Sequence, residues 1–150
     1  MKKEIYEQIR NKLKLIKDEL PCRDFDMSEE NLCSLNLDET YTDTFAFTKD
    51  EKLKVTTSHR VDLDSYYMVP VKKIINSMNE ENEGRLMLDD MFGKYIVFEQ
   101  AFDFEYVPST VDLLHIIAEQ LSVINEFMTK LYEFYTNHLY DGDVSCHIVI

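Results

Sequence analysis

The chain contains little glycine or proline, no tryptophan and no long apolar run. Three glycines and three prolines among 150 residues leave little material for long irregular loops. No apolar stretch approaches the roughly 20 residues of a membrane-spanning helix, and segment 1–10 lacks the apolar centre of a signal peptide. We therefore expect one compact domain over residues 1–150, located in the cytoplasm and without membrane contact.

Short motifs that carry chemistry are also missing. The three glycines are isolated from one another, so the sequence contains neither a glycine-rich phosphate loop nor a G-x-S-x-G motif. No two histidines are three or four residues apart, and no C-x-x-C pair is present. The three cysteines are widely spaced and indicate reduced thiols: Cys22, Cys33 and Cys146. We expect no catalytic residue, no cofactor and no metal ion.

Negative charge is plentiful and unevenly distributed. The formal net charge is −13, but residues 1–20 carry six basic and four acidic side chains, so residues 21–150 carry a net −15. Such a surface repels the phosphates of nucleic acids and attracts a protein with a basic surface. The simpler interpretation is that the acidity only keeps the domain soluble.

Three segments have the apolar period of an amphipathic helix. The first is 2–20, with one stripe: Ile5, Ile9, Leu13, Ile16 and Leu20. The second lies within 64–83, with Pro70 in its first turn. The third runs from about 109 to 138 and begins with Ser109 and Asp112, spaced as in a capping box.

The third helix carries two adjacent apolar stripes, whereas packing on one sheet requires roughly one. We therefore predict that the second stripe contacts a partner protein. A second copy of this chain is one such partner. Its residues are Leu113, Ile116, Val123, Phe127 and Phe134.

Apolar residues alternate with polar ones in five other segments, which predicts half-buried strands. These segments are 33–37, 44–48, 53–57, 85–89 and 94–104. The acidic link 38–43 is predicted to be a connection, and Gln100 interrupts the apolar face of the last strand. Gly84 is expected in a left-handed conformation, Gly93 in the turn 90–93, and the tail 139–150 as an added edge strand. The predicted fold is α+β, with a five-stranded antiparallel sheet and helices packed on it in the order α-βββ-α-ββ-α.

Residues 69–135 resemble the YbjN family, which shares the fold of the type III secretion chaperones. The resemblance rests on VPVKKIINSMN, on GRLMLDDMFGKYIVFEQAFDFEYV and on the capped segment PSTVDLLHIIAEQLSVINEFMTKLYEF. It implies a sheet of five strands, a role in protein interaction or regulation, and no enzymatic activity. The secretion chaperones of this fold are acidic homodimers that hold extended segments of a partner. No functional residue transfers, because the family has no site motif to match.

Two functional hypotheses follow. The first is an acidic protein-binding module, chaperone-like or regulatory, which binds another protein through an extended segment or a basic surface. The alternative is an immunity or inhibitor protein whose acidic surface blocks the basic cleft of a nucleic-acid enzyme or toxin. A small enzyme of unknown type is a third possibility, and it would require a pocket with converging polar groups of shifted pKa.

Overall fold

The computed structural model describes residues 2–19, 24–26, 31–36, 41–47, 52–61, 68–89 and 95–140. These ranges contain three α-helices and six β-strands, which confirms the α+β class. In chain order the elements are α1 (Lys2–Glu19), β1 (Asp24–Asp26), β2 (Asn31–Asn36), β3 (Tyr41–Phe47), β4 (Leu53–Arg60), α2 (Met68–Glu81), β5 (Arg85–Asp89), β6 (Tyr95–Phe102) and α3 (Thr110–Tyr140).

The strands form one antiparallel sheet in the order β1-β2-β3-β4-β6-β5. The predicted count of five strands, and with it the order α-βββ-α-ββ-α, was therefore wrong: four strands precede α2. The strand that was missed, β1, has the sequence DFD. A single apolar residue between two acids has no detectable alternation, so β1 is specified by its pairing with β2 and not by its own pattern.

The third strand begins earlier than predicted. β3 starts at Tyr41, within the acidic segment 38–43 that was predicted to be a connection. Asp43 pairs with Thr57 of β4 and is fully buried. A carboxylic acid at a buried strand position contradicts the usual distribution of charge, which is why the sequence pattern failed at this point.

The three helices cover one face of the sheet and pack on two apolar clusters. The first cluster joins α1 and the N-terminal half of α3 to β3 and β4, for example through Leu13, Phe45, Val55 and Ile117. The second joins α2 and the C-terminal half of α3 to β5 and β6: its members include Met78, Leu86, Phe98, Ile124 and Phe127. α3 therefore spans both clusters.

Two predicted helix starts are confirmed. The backbone N–H of Asp112 donates to Ser109 Oγ, and the backbone N–H of Ser109 donates to Asp112 Oδ2, each at 3.1 Å. This reciprocal pair is the predicted capping box with aspartate as its acid. These hydrogen bonds hold the pKa of Asp112 below its usual value. Pro70 lies in the first turn of α2, where its missing N–H leaves no backbone group unpaired.

Gly84 has a different role from the one predicted. Its backbone does not adopt the left-handed conformation; instead the residue is buried beside β6, against Phe98 and Glu99. A Cβ at this position would overlap the ring of Phe98 and lie 2.9 Å from the Glu99 carbonyl oxygen. Glycine is therefore required here for close approach of two segments.

Some predictions fall outside the described residues: Leu20, the turn 90–93 with Gly93, and the tail from residue 141. Residues 139 and 140 belong to α3 and not to the predicted edge strand. Among the helices that the structure describes, none combines the length and apolar content needed to cross a bilayer.

Candidate partner-binding groove

The five residues of the predicted partner-binding stripe do not share one environment. Leu113 and Phe127 are fully buried and Ile116 is 9% exposed, so these three side chains stabilise the core of this chain. Val123 and Phe134 are half-buried. The role of the stripe in partner binding stays a prediction, which now depends on Val123 and Phe134, because a fully buried side chain cannot contact a partner.

Val123 lines a groove of about 440 Å³ between α3 and the end of α2. One wall is residues 81–84, where α2 leads into β5, and the other is the exposed side of α3. The floor is formed by β6. The lining residues are Glu81, Asn82, Glu83, Gly84, Phe98, Gln100, Glu119, Ser122, Val123 and Glu126.

Four glutamates make the rim of this groove strongly negative. Glu119 lies 3.4 Å from His115 Nε2, and Glu126 lies 3.6 Å from Lys130 Nζ, each one helical turn away on α3. Across the described ranges, neither Glu81 nor Glu83 takes part in a salt bridge. Exposed helical ion pairs are weak, so an incoming cation can compete for all four carboxylates.

The wall formed by residues 81–84 is held by hydrogen bonds from asparagine side chains. Asn79 Nδ2 donates to the Leu86 carbonyl oxygen at 3.0 Å, and the Leu86 N–H donates to Asn79 Oδ1 at 2.6 Å. Asn82 Nδ2 donates to the Met78 carbonyl oxygen at 2.8 Å. The amide of Asn79 thus pairs with the backbone of β5 on the side away from β6, as a neighbouring strand would, and fixes where α2 ends.

Gln100 marks this groove in the sequence. It lies on the helix-facing side of β6, two residues after Phe98, where the alternation predicts an apolar side chain. The sequence alone shows this interruption but does not identify it as part of a site. A polar residue on the covered face of a strand is the signal by which the groove could have been found.

A second, shallower depression of about 750 Å³ lies on the opposite face of the sheet. It is lined by Thr56, Ser58, Met87, Leu88, Asp89, Val97 and Glu99. None of the described helices covers this face. Its side chains mix two hydroxyls, two carboxylates and three apolar groups, so its lining does not favour one class of ligand.

Three polar residues are buried between the two apolar clusters: Asp43, Thr57 and Gln120. Thr57 Oγ1 contacts Asp43 Oδ1 and lies 2.7 Å from Gln120 Oε1, while Gln120 Nε2 donates to the Val55 carbonyl oxygen at 3.2 Å. Burial raises the pKa of Asp43 to about 7, an effect that its hydrogen bond with Thr57 partly opposes. This polar seam is buried away from the groove.

Metal ligation has little support in the part of the chain that is described. No three histidine, cysteine, aspartate or glutamate side chains there are arranged so that they could hold a metal ion. The side chains of the three cysteines lie outside the described set.

A crystal structure of YbjN from E. coli, proposed to be a transcription regulator, has a similar fold. The TM-score is 0.57, and the match covers 83% of this chain and 91% of that chain at 11% sequence identity. At this identity the likeness shows the fold alone. It supports the YbjN-like α+β fold that the resemblance implied, whereas the implied sheet of five strands is contradicted by the six strands of this chain. No family model matches the chain, and no curated protein sequence does.

Proposed function

We propose that this chain is a non-enzymatic protein-binding module whose groove between α2 and α3 receives a basic, extended segment of a partner. The observation that carries the proposal is the groove itself, in which four glutamates surround Phe98 on the floor and Val123 on the α3 wall. Lysine and arginine side chains suit this combination, because their apolar stems cover apolar surface while their charged ends reach carboxylates. The net charge of −13 adds long-range attraction for such a partner.

A binding role also agrees with the chemistry of the described titratable groups. Two of them, Asp43 and Asp112, have clearly shifted pKa values. Asp43 is fully buried and Asp112 caps a helix, so neither lines the groove beside a second group that could share acid–base catalysis. YbjN, as a proposed regulator, is compatible with a non-enzymatic adaptor role.

Calorimetry with a defined peptide tests this proposal. The probe is a capped ten-residue peptide of alternating lysine and serine, and a glutamate–serine peptide is the control ligand. The protein variant is Glu83→Gln combined with Glu126→Gln, which removes one carboxylate from each wall of the groove. We expect the lysine peptide to bind the variant about fivefold more weakly, since two exposed ion pairs contribute on the order of 1 kcal/mol together.

The matched control is Glu4→Gln combined with Glu7→Gln on the exposed side of α1. It carries the same net charge as the groove variant, so it separates local contacts from general attraction. Equal losses in the two variants would contradict the proposal, as would binding of the glutamate peptide. Failure of every peptide, together with tight binding of one folded basic enzyme, would favour the inhibitor alternative.

A further inference from the structure

The polar seam lies at the boundary between the two apolar clusters on three different elements. On β3, Asp43 separates Phe45 of the first cluster from Tyr41, which packs against the second. On β4, Thr57 follows Val55 of the first cluster, and Val61, directly after the end of β4, belongs to the second. On α3, Gln120 lies between Ile117 of the first and Ile124 of the second. The seam therefore divides the core in two.

If Asp43 is ionised, the seam has one hydrogen too few for the contacts among its three side chains all to be hydrogen bonds. The amide of Gln120 has a fixed orientation, because its Nε2 donates to the Val55 carbonyl oxygen, and its Oε1 must then accept from Thr57. The hydroxyl of Thr57 has a single hydrogen, yet its oxygen also contacts Asp43 Oδ1. The second contact is a hydrogen bond only when the carboxyl group of Asp43 carries a proton and donates it to Thr57 Oγ1.

Few other ionisable side chains belong to the described elements around Asp43. Tyr41 lies on the same strand and stacks on His59 of β4, with ring centroids 4.1 Å apart. Tyr6 and Arg10 are on α1, and Glu119 precedes Gln120 on α3 but lines the groove. Asp43 Oδ2 is buried and has no hydrogen-bond partner. Among the described residues, no ion pair and no further hydrogen bond would therefore compensate a charge on Asp43.

We propose that the seam is a proton-dependent latch that holds the middle of α3 on the sheet. With Asp43 protonated, the three side chains form one continuous chain of hydrogen bonds from β3 through β4 to α3 and back to Val55. Loss of the proton leaves two acceptors competing for the single hydroxyl hydrogen of Thr57, and α3 separates from the sheet around Gln120. The two halves of the core then move relative to each other along a boundary that already exists.

Amide hydrogen exchange between pH 5 and 8.5 tests the latch. The measured quantity is the protection factor, corrected for the intrinsic pH dependence of exchange, of the α3 amides at 117–124. When the seam opens, the pKa of Asp43 returns to the ordinary range of an aspartate. Within the tested pH range, opening therefore releases a proton wherever the closed seam keeps Asp43 protonated. We expect protection at 117–124 to fall about tenfold per pH unit up to roughly pH 7 and then to level off.

Two variants and one spectroscopic measurement complete the experiment. Asp43→Asn keeps a donor for Thr57 Oγ1 without a titrating group, so its protection should not depend on pH. Exposed Glu105→Gln should follow the unmodified chain. Identical pH profiles for Asp43→Asn and the unmodified chain would overturn the latch, as would a parallel loss of protection in every element. If Asp43→Asn does not fold, carboxyl ¹³C resonances of the unmodified chain decide: a midpoint above pH 6 supports the latch, and one below pH 5 overturns it.

Discussion

At the scale of single residues, the residue type at several positions is determined by the groups that lie next to it in space. Gly84 is buried where the chain enters β5 beside β6, and no other residue type has a side chain small enough to avoid Phe98. Asp43 occupies a buried strand position where it contacts Thr57, which in turn contacts Gln120. In both cases the requirement comes from residues that are distant in sequence.

Gly84→Ala should destabilise the fold by about 1–3 kcal/mol, because the new Cβ overlaps the Phe98 ring and the ring can move only against packed neighbours. Urea denaturation of the variant measures this change. The double variant Gly84→Ala with Phe98→Leu should lose less than the sum of the two single changes, because the shorter side chain removes the nearest contact. Unchanged stability of Gly84→Ala would show that the two segments are not in close contact.

At the scale of elements, the sequence predicts helices and strands with a regular apolar period well. It predicts poorly those features that depend on residues distant in the chain. The helices were found because their apolar residues recur every three or four positions, and the capping box was found because its spacing is local. β1 was missed because its DFD sequence has a single apolar residue. The groove was not predicted, because Gln100 by itself is only an irregularity in the apolar alternation of β6. It lines a groove only because residues 81–84 and α3 lie beside it in space.

The junction between α2 and β5 gives a prediction at this scale. Asn79→Ala removes both hydrogen bonds to the backbone of Leu86, which leaves a donor and an acceptor unpaired at a partly buried edge. We expect a loss of about 1–3 kcal/mol in the free energy of unfolding. Exposed Asn76→Ala, one turn earlier on α2, is the matched control and should be nearly neutral. Equal effects of the two substitutions in urea denaturation would contradict the bridging role of Asn79.

At the scale of the whole molecule, the arrangement of layers decides which surfaces are available. All three helices lie on one face of the sheet, and the groove opens between two of them on the side where four glutamates gather. The opposite face carries mixed charge, with Lys54 3.3 Å from Glu99. A negative molecule that concentrates carboxylates beside a partly apolar floor is suited to a cationic segment, and the attraction should weaken as salt screens it.

The most direct test of the proposed function is to locate the lysine–serine peptide on the molecule by ¹H–¹⁵N NMR titration at low and moderate salt. We expect the largest shifts at residues 81–84, 98–100 and 119–126, and we expect these shifts to shrink as salt is added. Shifts concentrated at residues 54–58 and 85–89 on the open sheet face, or none at any salt concentration, would contradict the proposed function.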